Sequence, residues 1–159
     1  MSSGVLPSVR PALLLVLALP LLSCGHMGLD RYFGGKWVMS VAVSQELNSY
    51  SPVAVDLLIV YDKKLLATLE AMTAQSWFAQ RQQLIQKYSE TSHEMDAWGW
   101  EWVPGQVVPN QVRKYGIGVR GAVIFANYFS PGDHRASVDP FEPFQLSLNP
   151  SSFTVERLR

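Results

Sequence analysis

The stretch VAVDLLIVY, Val53 to Tyr61, places Val53, Val55, Leu57, Ile59 and Tyr61 on one face at period two. Its other face is also mostly apolar apart from Asp56, which predicts a central strand covered on both sides. An earlier strand is predicted over Trp37 to Val43, where Val41 and Val43 alternate with Ser40 and Ala42. Between the two, QELNSYSP (Gln45 to Pro52) collects the residue types of an exposed loop.

At Asp62 the period changes. Leu65, Leu66, Leu69 and Met72 recur at helical spacing behind Asp62 as N-cap, and Trp77, Phe78, Arg81, Leu84, Ile85 and Tyr88 continue the pattern. A break at Thr73 to Ser76 leaves one long helix or two consecutive ones equally compatible, with Gln80, Gln82, Gln83 and Gln86 on the polar side. Beyond Ser89, Trp98, Trp100 and Trp102 alternate with Gly99 and Glu101, before a turn at Val103 to Gln106. Tyr115 to Phe129 reads as one long strand with Ile117, Val119, Val123 and Phe125 on a face, and Gly116, Gly118 and Gly121 marking a bulge or close approach. After a turn at Ser130 to Asp133, two short strands are predicted at Phe144 to Leu148 and Phe153 to Glu156. Five to seven strands with one helical insertion predict a mainly β fold, a small β-sandwich.

The front of the chain follows another pattern. Pro11 to Leu22 is apolar and uncharged, and the amino terminus and Arg10 precede it as positive charges. A helix needs about 20 apolar residues to span a bilayer, so the run is too short for that. It fits the apolar region of a secretory signal, about 7–15 residues long. A buried N-terminal helix is the competing reading, but Pro11 and Pro20 bracket the run and it has no polar face.

Composition narrows the function classes. The 159 residues are 48% hydrophobic and 16% charged, enough apolar material for a core. Thirteen basic and thirteen acidic side chains are interspersed, so there is no basic stripe for nucleic acid. The single cysteine, Cys24, cannot form an internal disulfide, and the fold has to stand on its core.

Catalytic motifs are missing: the chain has no G-x-S-x-G, C-x-x-C, phosphate loop or H-E-x-x-H. Of three histidines, His26 lies near Cys24, His93 in a polar loop, and His134 within Asp133-His134-Arg135, followed by Asp139. That last cluster could orient a general base or a metal ligand, although charged residues in a turn more often pair with one another in solvent. The tryptophans at 98, 100 and 102 could stack sugars on an exposed face, but core packing is the better reading of such alternation. The expectation is a non-enzyme without metal, cofactor or small-molecule substrate.

Leu21-Leu22-Ser23-Cys24 resembles the lipobox of bacterial lipoproteins. The resemblance implies cleavage between Ser23 and Cys24, a diacylglycerol on the Cys24 sulfur and an acyl chain on the new amino terminus. Gly25, in place of Asp, implies sorting to the outer membrane. Two or three acyl chains, at about 0.8 kcal/mol per buried CH₂, make a stable anchor. The expected division is therefore a signal peptide over 1–23, a lipidated tether over 24–36 and a β-sandwich domain over 37–159.

The order of elements after the lipobox is similar to that of the TssJ (SciN-type) outer-membrane lipoproteins of bacterial type VI secretion systems. The residues that carry the likeness are N-S-x-S-P-V-x-V leading into the second strand, the helical insertion, the Pro-Gly turn, and Phe125-Ala126-Asn127-Tyr128 before a polar turn. That family implies a transthyretin-like β-sandwich with a helical insertion after the second strand. It also implies a structural role, in which the domain docks the periplasmic part of an inner-membrane component of the TssM type. The partner-binding loop would then be Glu46, Leu47, Asn48, Ser49, Tyr50 and Ser51. Two alternatives stay open: an accessory lipoprotein or pilotin that binds a secretin, and a periplasmic glycan-binding lipoprotein.

Overall fold

The computed structural model describes residues 33–158, together with Met1. The signal-peptide, cleavage and lipidation readings at Ser23 and Cys24 lie outside the described residues. Among the described residues, eight strands form two four-stranded sheets with two α-helices inserted after the second strand. The strands are β1 (Gly35–Val43), β2 (Val53–Val60), β3 (Met95–Trp102), β4 (Gln111–Tyr115), β5 (Gly121–Ala126), β6 (Arg135–Val138), β7 (Phe144–Leu148) and β8 (Phe153–Arg157). The helices are α1 (Lys63–Glu70) and α2 (Ala74–Ile85), the latter running on into a π-helical turn, Gln86–Thr91. One sheet has the order β4-β1-β7-β8 and the other β3-β2-β5-β6. All pairs are antiparallel except β1 with β7, where Met39 lies beside Phe144 and Val43 beside Leu148. None of the described helices is long and apolar enough to cross a membrane.

β2 is central, and both its faces are buried. Val53, Val55, Leu57 and Ile59 enter the sandwich core with Trp37, Met39, Ile124 and Leu146. Leu58 and Val60 point the other way, into a second core against Leu65 and Leu69 of α1 and Trp77 of α2. The near-continuous apolar run of β2 is therefore the signature of a strand between two layers.

The helical stretch is two helices. Asp62 caps α1, its Oδ1 accepting from the N–H groups of Lys64 (2.9 Å) and Leu65 (2.8 Å). Thr73 caps α2, its hydroxyl accepting from the Ser76 N–H at 3.2 Å. An exposed turn of helix with no cap partner is marginal, and these two caps fix where each helix starts.

Two expectations change. Tyr115 to Phe129 is not one strand with a bulge: β4 ends at Tyr115 in one sheet and β5 starts at Gly121 in the other. The glycines serve the crossing, where Gly118 has φ 88° and Ile117 is 69% exposed, off the face assigned to it. Gly121 is small for a separate reason, because Leu66 of α1 lies within 2.9 Å of where its Cβ would stand. Apolar alternation reports a buried face but not which sheet owns it, so two short strands in register with the pattern look like one. The strand count is also eight, above the expected range, because β4 and β6 (Arg135–Val138) are short and carry charged residues.

Candidate partner-binding site at the loop end

Four connections gather at one end of the sandwich: 44–52, 103–110, 127–134 and 149–152. Backbone bonds tie them together, from Ser44 N–H to Leu148 O (2.9 Å) and from Gly105 N–H to Ser44 O (3.0 Å). Ser130 adds its hydroxyl to Ser151 O.

Within 44–52, Leu47–Ser49 form a 3₁₀ turn followed by Tyr50. Asn48, Ser49 and Tyr50 hold φ of 47°, 56° and 61°, three consecutive left-handed residues, none of them glycine. Each such residue costs on the order of 1–2 kcal/mol, asparagine less than the others, so surrounding contacts must enforce the shape. Leu47 supplies one anchor, fully buried in the sandwich core. Asn48 supplies the other. It is 2% exposed, its Nδ2 donates to Pro52 O (2.9 Å), and its Oδ1 accepts from the Phe129 N–H (2.8 Å). The turn closes through Ser51 N–H to Leu47 O at 3.0 Å.

The predicted loop therefore divides. Leu47 and Asn48 face inward and cannot meet a partner, whereas Glu46, Ser49 and Tyr50 are exposed and Ser51 is half-buried. Tyr50 is 72% exposed, and Phe129, on the neighbouring loop that Asn48 holds, is 74% exposed. Sequence reasoning missed Phe129, which reads as the end of a strand; the bond its N–H donates to the Asn48 side chain, across 81 positions, leaves no trace in local pattern. Two large rings, on loops joined through Asn48, are thus directed into solvent at the same end of the sandwich.

The histidine cluster does not assemble as a site. His134 and Asp139 sit beyond opposite ends of β6. The His134 ring lies 2.7 Å from Ser130 O through Nε2 and tilts over Tyr128 with centroids 5.0 Å apart. Arg135 donates to Met72 O (2.9 Å), and Asp133 O accepts from the Ala74 N–H (2.8 Å), which binds this loop to the start of α2. Asp139 accepts from the Phe141 N–H at 3.0 Å. Among the described residues no three His, Cys, Asp or Glu side chains are grouped to hold a metal.

The tryptophan stripe belongs to the core. Trp102 is buried, and Trp98 and Trp100 are half-buried against the same cluster. Trp37 of β1 meets both edge-on, with centroids at 5.4 Å and 6.1 Å, and Trp100 stacks on Trp102 at 5.5 Å. A depression of about 600 Å³ lies away from the loop end between α1, the β4–β5 crossing and β6, where Glu70 accepts from the Ser137 hydroxyl.

The sequence matches no family model and no curated protein. The structure does match solved ones. It is similar to the T6SS lipoprotein TssJ1 from Pseudomonas aeruginosa, with TM-score 0.57 and 11% identity over 79% of this chain and 98% of that one. It is equally similar to Serratia marcescens Lip, a membrane-bound component of the type VI secretion system, with TM-score 0.57 and 12% identity over 80% and 98%. A further match is the T6SS protein TssM C-terminal domain (869-1107) from EAEC, with TM-score 0.51 and 11% identity over 79% and 99%. In each case nearly the whole of the other chain is covered, so this chain has the fold of the TssJ-type lipoproteins of type VI secretion.

Proposed function

We infer that the protein is a structural component of a type VI secretion system, anchored through lipid on Cys24 to the periplasmic face of the outer membrane. In this reading residues 1–23 are removed on export, 24–36 form the tether, and the sandwich docks an inner-membrane component of the TssM type. The observation that carries the docking role is the Asn48–Ser49–Tyr50 turn. Three strained residues are held by buried Leu47 and Asn48 so that Tyr50 projects into solvent. Strain maintained at an exposed tip, where a relaxed loop would close the same strands, supports a contact function.

The test uses Tyr50→Gly. Glycine accepts φ of 61° without cost, so the substitution removes the ring and relieves the backbone. The expected result is a stably folded protein whose capture of its envelope partner falls about tenfold or more, as for loss of an aromatic anchor. A photo-crosslinker at Tyr50 is expected to trap a large inner-membrane protein. Trapping a secretin in its place sinks the docking assignment, and failure of Cys24 to incorporate radioactive palmitate sinks the anchor.

A further inference from the structure

The flank on which the two sheets end in β3 and β4 carries opposite charge on its two edges. Among the described residues β3 bonds only β2 within its sheet and β4 only β1, so each directs backbone donors and acceptors towards the flank. The two edges lie on the same side. Arg113 of β4 pairs with Trp37, and Trp37 packs against Trp98 and Trp100 of β3. β3 carries Asp96 and Glu101 with no basic residue, and β4 carries Arg113 and Lys114 with no acidic one. At eight residues β3 is the longest edge, against five in β4 and β8 and four in β6, and it has neither lysine nor proline to block pairing. The strands also run in opposite senses. β1 and β3 both finish at the loop end, where Gly105 bonds Ser44, and β4 is antiparallel to β1.

We propose that a second copy of this chain docks on this flank, the β3 of each copy pairing with the β4 of the other about a twofold axis along the strands. Such a rotation exchanges the two layers and preserves strand direction. β3 therefore meets β4 antiparallel, and each sheet continues into one of its neighbour's. Acidic and basic edges then face each other twice. The Arg113 of one copy, level with Trp37 in its own chain, comes level with Trp98 and Trp100 of the other, where a guanidinium is attracted to an indole face. Val107, 93% exposed on the β3–β4 connection, and the exposed Val112 of β4 gain cover at the same surface. The other available twofold, perpendicular to the sheets, sets β3 against β3 and β4 against β4, with like charges opposed.

Sedimentation of the full-length protein, with detergent micelles in excess over chains, tests this. The wild type is expected to dimerise, less tightly as salt rises. Arg113→Glu with Lys114→Glu, or Glu101→Lys alone, is expected to raise the dissociation constant about tenfold or more, by analogy with like-charge juxtaposition at interfaces. Glu101→Lys combined with Lys114→Glu is expected to recover the dimer. These side chains are exposed, so thermal melts of the variants should match the wild type and separate lost pairing from lost folding. A monomer at every concentration, a dimer indifferent to these charges, or one tightened by Glu101→Lys alone overturns the proposal. The flank does not include Tyr50, so a Tyr50→Gly chain dimerises as the wild type does, and failure of the loop-end docking leaves this result standing.

Discussion

Asp56 is 1% exposed in the middle of β2, and three donors hold its carboxylate: the Trp77 indole N–H at 2.8 Å, Arg81 Nη2 at 3.1 Å and Arg81 Nε. Arg81 reaches it across β3 at Gly99, the residue paired with Asp56, where a Cβ would collide with both charged groups. The two partners are not equivalent. Arg81 is partly exposed and can return to water, but Asp56 cannot. Arg81→Ala is therefore expected to cost about 3–5 kcal/mol, the range for stranding a buried charge. Asp56→Asn, which keeps an acceptor for Trp77 and frees Arg81 to solvent, should cost about 1–3 kcal/mol. Gly99→Ala should cost about 1–3 kcal/mol by overpacking. Urea unfolding ranks the three, and an Asp56→Asn chain less stable than Arg81→Ala contradicts the assignment. Tyr61 gives a pH test. Burial, with its hydrogen bond to Asp96, pushes the hydroxyl from 10.0 up to about 12, against the opposing pull of the Gly116 N–H. The folded state favours the neutral phenol, so this stability is complete below pH 10 and is lost as the pH rises towards 12. Phenolate absorbance should show two late-titrating tyrosines, because burial raises Tyr128 as well, and only the Tyr61 step should disappear in Tyr61→Phe. In the sequence Asp56 could be seen only as a polar residue on an apolar face; its partner lies 25 positions away on a helix, beyond any local pattern.

Elements were legible where one pattern served one role. The apolar run of β2 and the capping side chain of Asp62 state their structure locally, whereas the break at Thr73 to Ser76 did not decide between one helix and two until the Thr73 cap was seen. The β4–β5 stretch was not legible, because its alternation continues in phase through a change of sheet and only Gly118 at φ 88° marks the crossing. The tip at Asn48–Tyr50 was legible in composition but not in orientation, since only burial shows that Asn48 serves as a clip and not as a contact. Asn48→Leu removes the acceptor of the Phe129 N–H and puts a branched side chain at φ 47°. It should destabilise the chain by about 1–3 kcal/mol and weaken partner capture as well, whereas Tyr50→Gly should weaken capture alone. Comparing stability with partner capture for the two variants separates clip from contact. The tryptophan stripe makes a spectroscopic prediction at this scale. Because Trp37, Trp77 and Trp102 are buried and Trp98 and Trp100 half-buried, emission should be blue-shifted in the fold and unchanged by added glycans.

At the scale of the whole molecule, the two sheets share β2's neighbourhood as a common core, while the helices cover only the outer face of the β3-β2-β5-β6 sheet. Among the described residues, neither α-helix lies over the loop end or along the β3–β4 flank. One pairing sets the order in which all this can form. β1, the first strand, lies between β4 and β7, and its partner for Met39 to Val43 is Phe144 to Leu148, almost the last part of the chain. Closing so long a loop carries its entropy cost before any contact repays it. A chain emerging amino terminus first can therefore build the helical layer early, but its Trp37 and Met39 stay uncovered until β7 arrives. Truncation after Asp139 should leave a protease-sensitive species with helical circular dichroism and no cooperative unfolding. The parallel β1–β7 pair thus acts as a timing device: the sandwich cannot close until nearly all of the chain is present, as the export proposed above requires.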